Sequence, residues 1–161
     1  MQHHPLVQPS LVLDPPTQWR LIKDAHPAGL ALFERHYSCR DDRPADCKQF
    51  VGPGESLVLL TNNEKALCVW WKQRFRTDKQ AGVNCAVFRN EQCGRLSSDL
   101  LLEAEQRAWQ RWPEQRLFTF VDPRQVGQHN PSHNPGYCFK QAGWRACGLT
   151  KKGLLILEKL P

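Results

Sequence analysis

The run CAVFRNEQCGRLSSDLLLEAEQRAWQRWPEQRLFTFVD, residues 85–122, constrains the fold more than any other stretch of the chain. Residues 85–88 are a short apolar segment that gives way to Arg89, Asn90 and Glu91, the pattern of a buried strand reaching the surface. Gly94 loosens the backbone, and Ser97, Ser98 and Asp99 are N-cap types standing just before Leu100, Leu101 and Leu102. Leu101, Ala104, Ala108 and Trp112 then recur at helical spacing, whereas Glu103, Gln106, Arg107 and Gln110 stay polar. Pro113 ends the helix, and residues 117–121 supply a second apolar strand. Strand, polar turn, helix and strand make a βαβ unit. Its turn presents free backbone N–H groups at the positive end of a helix dipole, a natural place for an anion.

The rest of the chain fits around that unit as one domain. Residues 1–18 are Pro-rich and read as an irregular extension, with one candidate edge strand at 10–13; residues 19–161 make the domain. Residues 19–24 and 30–37 have helical patterns separated by Pro27 and Gly29, and a charged loop follows. Residues 56–61 and 66–75 are strands joined through Asn62, Asn63 and Glu64, a tight hairpin. After Asp122 and Pro123 a long loop closes on Asn134 and Pro135; residues 136–141 form a short helix capped by Gly143. Residues 145–149 and 154–160 form a last hairpin. Such an order predicts an α+β domain with helices flanking a sheet in three layers.

Net charge is +6, which leans toward an anionic partner such as nucleic acid or a phosphorylated cofactor, although a basic soluble protein has the same balance. Within residues 66–75, Leu67, Val69, Trp71 and Phe75 share the face expected in the core. The opposite face carries Cys68, Trp70, Lys72 and Arg74 and continues to Arg76, an aromatic among cations that suits a base beside a phosphate. An ordinary solvent face would look the same. Arg124, His129 and His133 in the later loop are further candidate DNA contacts. The seven cysteines are odd in number and scattered, which fits reduced thiols in a cytoplasmic protein; the opening residues lack the apolar core of a signal peptide. No run is long enough to span a membrane. His129, His133 and Cys138 lie amid prolines, without a shared helical face, so no metal site is expected.

The order of elements resembles the GNAT acyltransferase fold, and the resemblance implies a mixed, mostly antiparallel sheet with a V-shaped opening. It also implies that the turn before the central helix holds the pyrophosphate of acetyl-CoA or a related acyl-CoA. The corresponding residues are Arg89, Asn90, Gln92, Cys93, Gly94, Arg95, Leu96, Ser97 and Ser98, in which only the first glycine of the family's signature is kept. Three segments look closer to the phage Mom-like proteins that modify DNA bases. FERHYS resembles their His-Tyr segment, Arg89 with Ser98 their Arg…Ser pair, and FTFVDP with His129 and GYCFKQAGW their Asp-Pro…His…Gly-x-x-Tyr-x-x-x-Gly-Trp stretch.

That resemblance implies a site made of His36, Tyr37, Arg89, Ser98 and Asp122. Phe139 stands beside the cofactor where many relatives carry a tyrosine, so an acid role passes to Tyr137, His36 or a water. His36 has the intrinsic pKa of a base near neutrality. Arg89 and Asp122 both leave strand ends, where they either meet substrate or join in a buried salt bridge. The expected function is acyl or acyl-derived transfer to a base amine in DNA within a bacterial host cell, the base being extruded or single-stranded. A GNAT N-acetyltransferase for a small or protein amine, and a non-catalytic nucleic-acid-binding domain, are the alternatives. Oligomeric state is left open, a homodimer included.

Overall fold

The computed structural model describes residues 18–126 and 134–161. The elements follow in the order β1 (Trp19–Ile22), α1 (Pro27–Glu34), β2 (Gly54–Thr61), β3 (Ala66–Gln73), β4 (Val83–Asn90), α2 (Ser97–Arg111), β5 (Leu117–Val121), α3 (Pro123–Val126), α4 (Tyr137–Gln141), β6 (Arg145–Leu149) and β7 (Leu155–Lys159). The strands form one open sheet in the order β1-β2-β3-β4-β5-β7-β6. Every neighbouring pair is antiparallel except β4 and β5. The domain is therefore mixed α+β with a mostly antiparallel sheet. Among the described residues no helix is long and apolar enough to cross a membrane.

Two apolar layers cover the two faces of the sheet. On one side Leu100, Leu101, Ala104 and Ala108 of α2 pack with Trp19, Cys68, Trp70, Phe139 and Trp144. On the other, Leu32 of α1 packs with Val58, Leu60, Leu67, Val69 and Val87. Burying each such leucine contributes about 1.5–3 kcal/mol. Residues 66–70 of β3 are enclosed from both sides, so Trp70 is fully buried and stacks on Trp144 at 6.3 Å. This corrects the expectation of an exposed Trp70 face: alternation marks a solvent face only in a strand covered on one side.

Trp19–Ile22 is a strand, not the start of a helix. It pairs with β2 from Trp19↔Thr61 to Ile22↔Val58, and the Trp19 indole N–H donates to the Leu100 carbonyl at 2.8 Å. Phe75, expected in the core, lies beyond the end of β3 and is 76% exposed. The helix α2 is capped by Leu96 with no side-chain bond, so Ser97, Ser98 and Asp99 occupy its first turn and do not cap it. The hairpin turn at Asn62–Glu64, the short helix α4 and the final hairpin lie close to their expected positions. The candidate strand at residues 10–13 lies outside the described residues.

Only two residue pairs join β4 to β5, Val83↔Leu117 and Asn84↔Phe118. The join is tight there. The Val83 N–H donates to the Arg116 carbonyl at 2.8 Å, and a side chain at Gly82, whose φ is 109°, would run into that carbonyl. Beyond these pairs the ladder stops. Thr119 Oγ1 donates to the Cys85 carbonyl at 2.8 Å, a side chain standing in for a missing backbone partner.

Candidate functional site

Where the ladder stops, a cleft opens between β4 and β5. One lobe, of about 290 Å³, is walled by Cys85, Ala86 and Phe88 of β4, Thr119–Val121 of β5, and Gly136–Phe139 at the start of α4. A second lobe, of about 320 Å³, reaches Asn84, Asp122 and Leu154. His36 and Tyr37 line both. Gly136 makes the first lobe's floor possible: its φ is 73°, and a side chain there would strike Leu157.

His36 follows the end of α1 and is only 8% exposed. Its Nδ1 lies 2.7 Å from Ser38 Oγ and accepts the Ser38 N–H at 3.2 Å. The ring also bonds the backbone of Phe88. With Nδ1 taken as acceptor, the other nitrogen carries the hydrogen and donates to that carbonyl. Burial, helped by the Arg89 charge, lowers its pKa to about 4. The imidazole is thus neutral near neutral pH, with both nitrogens engaged, and it stacks on Tyr37 at 4.4 Å. The arrangement suits a positioning group better than the base expected from the sequence.

Tyr37 reaches across the cleft, its hydroxyl donating to the Phe120 carbonyl of β5 at 3.3 Å. Desolvation raises its pKa to about 12, although the residue as a whole is 42% exposed. The hydroxyl lies against the backbone of β5. The hydroxyl stays protonated near neutral pH and is a donor. Tyr137 is half exposed at the rim. Phe139 is buried, edge-on to Phe88 and Trp144 at 5.9 and 5.0 Å, and serves as a wall. Burial raises the Cys138 pKa to about 11 and pushes Cys85 well above the usual thiol range, so neither offers a thiolate near neutrality.

Arg89 and Asp122 do not pair. Arg89 Nε donates to Glu91 at 3.0 Å and its Nη1 to the Arg35 carbonyl at 2.7 Å, while Arg35 itself meets Glu91 at 2.6 Å. The helix α1 has no basic residue in its last turn, and Arg89 supplies a cation at that C-terminus from β4. Asp122 instead accepts from Arg124 through Nε at 3.0 Å, Nη2 at 3.1 Å and the backbone N–H at 3.0 Å. Those bonds hold its carboxyl below the usual range, so it is ionised at the mouth of the second lobe.

The turn between β4 and α2 is built by two asparagines. Asn90 donates to the Arg95 carbonyl at 3.0 Å and to Ser97 Oγ at 3.1 Å, and accepts the Cys93 N–H at 3.0 Å. Asn63 donates to the Cys93 carbonyl at 2.8 Å. Gln92 and Gly94 have φ of 57° and 96°, and the space where Gly94 would carry a side chain is open. Arg95 turns along the helix to Glu103 at 2.6 Å, away from its expected role at the turn. The uncapped first turn of α2 therefore offers backbone donors with Gly94 leaving them accessible.

The fold brings His36, Tyr37, Asp122, Tyr137 and Phe139 to one cleft. Arg89 stands behind His36, and Ser98 belongs to the separate turn. Of the basic face, Lys72 is half-buried, Arg74 exposed, and Arg76 occupied by Asp78 at 3.2 Å and by the Phe118 ring at 4.8 Å. His129 and His133 lie outside the described residues. Sequence reasoning missed Glu91, Arg35 and Ser38 as the groups that fix His36 and Arg89. Their role depends on α1 meeting the end of β4, which no local pattern encodes. No family model, curated protein or solved structure matches the chain.

Proposed function

We propose that this chain is an acyltransferase of GNAT type that modifies a base amine in DNA, with acetyl-CoA or a related acyl-CoA as donor. One observation carries the reading. The single parallel pair in an otherwise antiparallel sheet is zipped for two residue pairs and then opens into a cleft. A mostly antiparallel sheet with such an opening is what the GNAT resemblance implies, and the position of His36, Tyr37 and Asp122 around the opening supports the Mom-like branch. The residues at the turn fit a phosphorylated donor in part: the first N–H groups of α2 and the open space at Gly94 would hold the phosphates, with no help from Arg95. Bound there, the donor would supply an activated acyl group.

The chain's own groups divide the remaining work. The Tyr37 hydroxyl, protonated and already aimed at a carbonyl oxygen, would stabilise the developing oxyanion and, as the acyl carbon–sulfur bond breaks, give its proton to the departing thiolate of the donor. The Asp122 carboxylate would orient the acceptor amine and draw off its proton. His36 would hold Tyr37 in place by stacking. The apolar walls would keep water from the acyl group.

Mass spectrometry of nucleosides from DNA co-expressed with the protein tests the acceptor. A new modified base, lost in Tyr37→Phe at unchanged melting temperature, is the expected result. Unmodified nucleosides together with acylation of an added amine would move the acceptor to a small amine. Calorimetric titration with acetyl-CoA tests the donor: heat abolished by Gly94→Glu is expected, and no heat at millimolar ligand would sink it.

A further inference from the structure

A third hollow, of about 620 Å³, adjoins the second lobe and shares Phe120 and Leu154 with it. Its rim carries Lys79 from the β3–β4 loop and Lys151 and Lys152 from the β6–β7 turn. None of these lysines forms an ion pair among the described residues. The one carboxylate among the described residues that line the hollow, Asp78, is already neutralised by Arg76 at 3.2 Å. Three unmatched positive charges thus face a hollow whose floor is apolar: Phe120, Leu154, Ile156 and the 69% exposed Leu149.

The lysines stand on hydrogen-bonded turns. Thr150 and Leu154 exchange backbone N–H···O and side-chain bonds at 2.9 and 3.0 Å, and Gly153 closes the turn with a φ of 83°. Lys79 sits at a φ of 59°, in a loop pinned by the Gln80 N–H donating to Asp78 at 3.0 Å. Cations over an apolar floor edged by Phe120 match a chain of phosphates whose bases stack. An acidic peptide would match the charge but leave the Phe120 ring unstacked.

We infer that this hollow is the track of a single-stranded nucleic acid, its phosphates on Lys79, Lys151 and Lys152, which delivers a base past Phe120 to the Tyr37–Asp122 lobe. The inference rests on the proposed function for its destination, but strand binding stands apart from any reaction. Lysine heads bind phosphate as point charges, so the track holds strands of any sequence. A base can enter the lobe only when it is out of a stack, which favours the single strand.

Fluorescence anisotropy with a labelled oligo-dT strand, over a salt series, tests the track. Lys79→Gln/Lys151→Gln/Lys152→Gln should weaken binding at least tenfold at low salt. It should also reduce the slope of log affinity against log salt by about 2, at roughly 0.7 per phosphate contact for a single strand. The charge-matched variant Lys23→Gln/Lys48→Gln/Lys65→Gln, at exposed positions elsewhere, should retain most of the affinity. Three results would overturn the inference: equal losses in the two variants, tighter binding of the duplex, or displacement of the strand by poly-glutamate at matched charge. Acetyl-CoA titration of the lysine variant keeps the two readings separate, because donor binding should survive there.

Discussion

Protonating His36 should destabilise this domain, and the size of the effect follows from its surroundings. The imidazole is buried, both nitrogens are engaged, and its pKa is lowered from 6.5 to about 4. In the unfolded chain it titrates near 6.5, so between the two values the unfolded state binds the extra proton. A depressed folded pKa means the stability is complete above pH 6.5, falls with pH through the window, and levels off below about 4. At 1.36 kcal/mol per unit, the total loss is about 3 kcal/mol. Urea denaturation at half-unit steps from about pH 7 to below the folded pKa of about 4 measures it, with His36→Gln as the reference. The variant is less stable throughout, but its curve should lack the His36 slope. Carboxylate contributions, including that of the buried Glu105, are common to both proteins and cancel in the difference. Parallel curves for the two proteins, or a His36 ring proton titrating near 6.5 by NMR, would refute the argument.

Two glycines should respond differently to alanine. Gly136→Ala meets both a left-handed backbone and the Leu157 side chain, so a loss of about 2 kcal/mol or more is expected by denaturant titration. Gly94→Ala meets backbone strain alone, at about 1 kcal/mol, and should leave the core intact. Glu105 is fully buried, accepting from Trp144 and from Lys159, each at 2.5 Å. Lys159→Met should therefore cost on the order of 3–5 kcal/mol, and Glu105→Gln added to it should recover much of that by removing the stranded charge. Thiol counting of denatured, unreduced protein should find seven reactive cysteines; markedly fewer would overturn the free-thiol assignment.

Much of the central unit was legible because burial there is local in sequence. Residues 83–90, 97–111 and 117–121 are elements whose apolar positions report directly on the layer each faces. Trp19–Ile22 reads as helical because Trp19 and Ile22 are three apart; pairing with β2 makes it a strand, and the partner residues 58–61 lie far along the chain. The Trp70 face misled for a related reason: exposure depends on α2 and α4 lying over β3, far along the chain. Arg89 and Asp122 were legible as strand-end residues, but of the two only Asp122 lines the cleft. Their partners were not legible, since Arg89 and Asp122 separate where β4 and β5 part, and each finds a neighbour only two residues away.

The short pairing of β4 with β5 also has a mechanical side. Strands β1 to β4 make one leaf and β5, β7 and β6 another, and only the residues around Val83, Asn84, Leu117 and Phe118 stitch the leaves together by backbone. The Arg116 side chain reinforces that stitch by donating to the Ala81 carbonyl at 2.9 Å, while Glu158 of its own leaf pairs with it. The angle between the leaves is then the softest coordinate of the sheet, because changing it breaks the fewest ladder bonds. Whatever fills the gap acts as a brace between them. Its signature in hydrogen exchange would be slower opening of β5 and β7 together with β4, across residues the brace never touches.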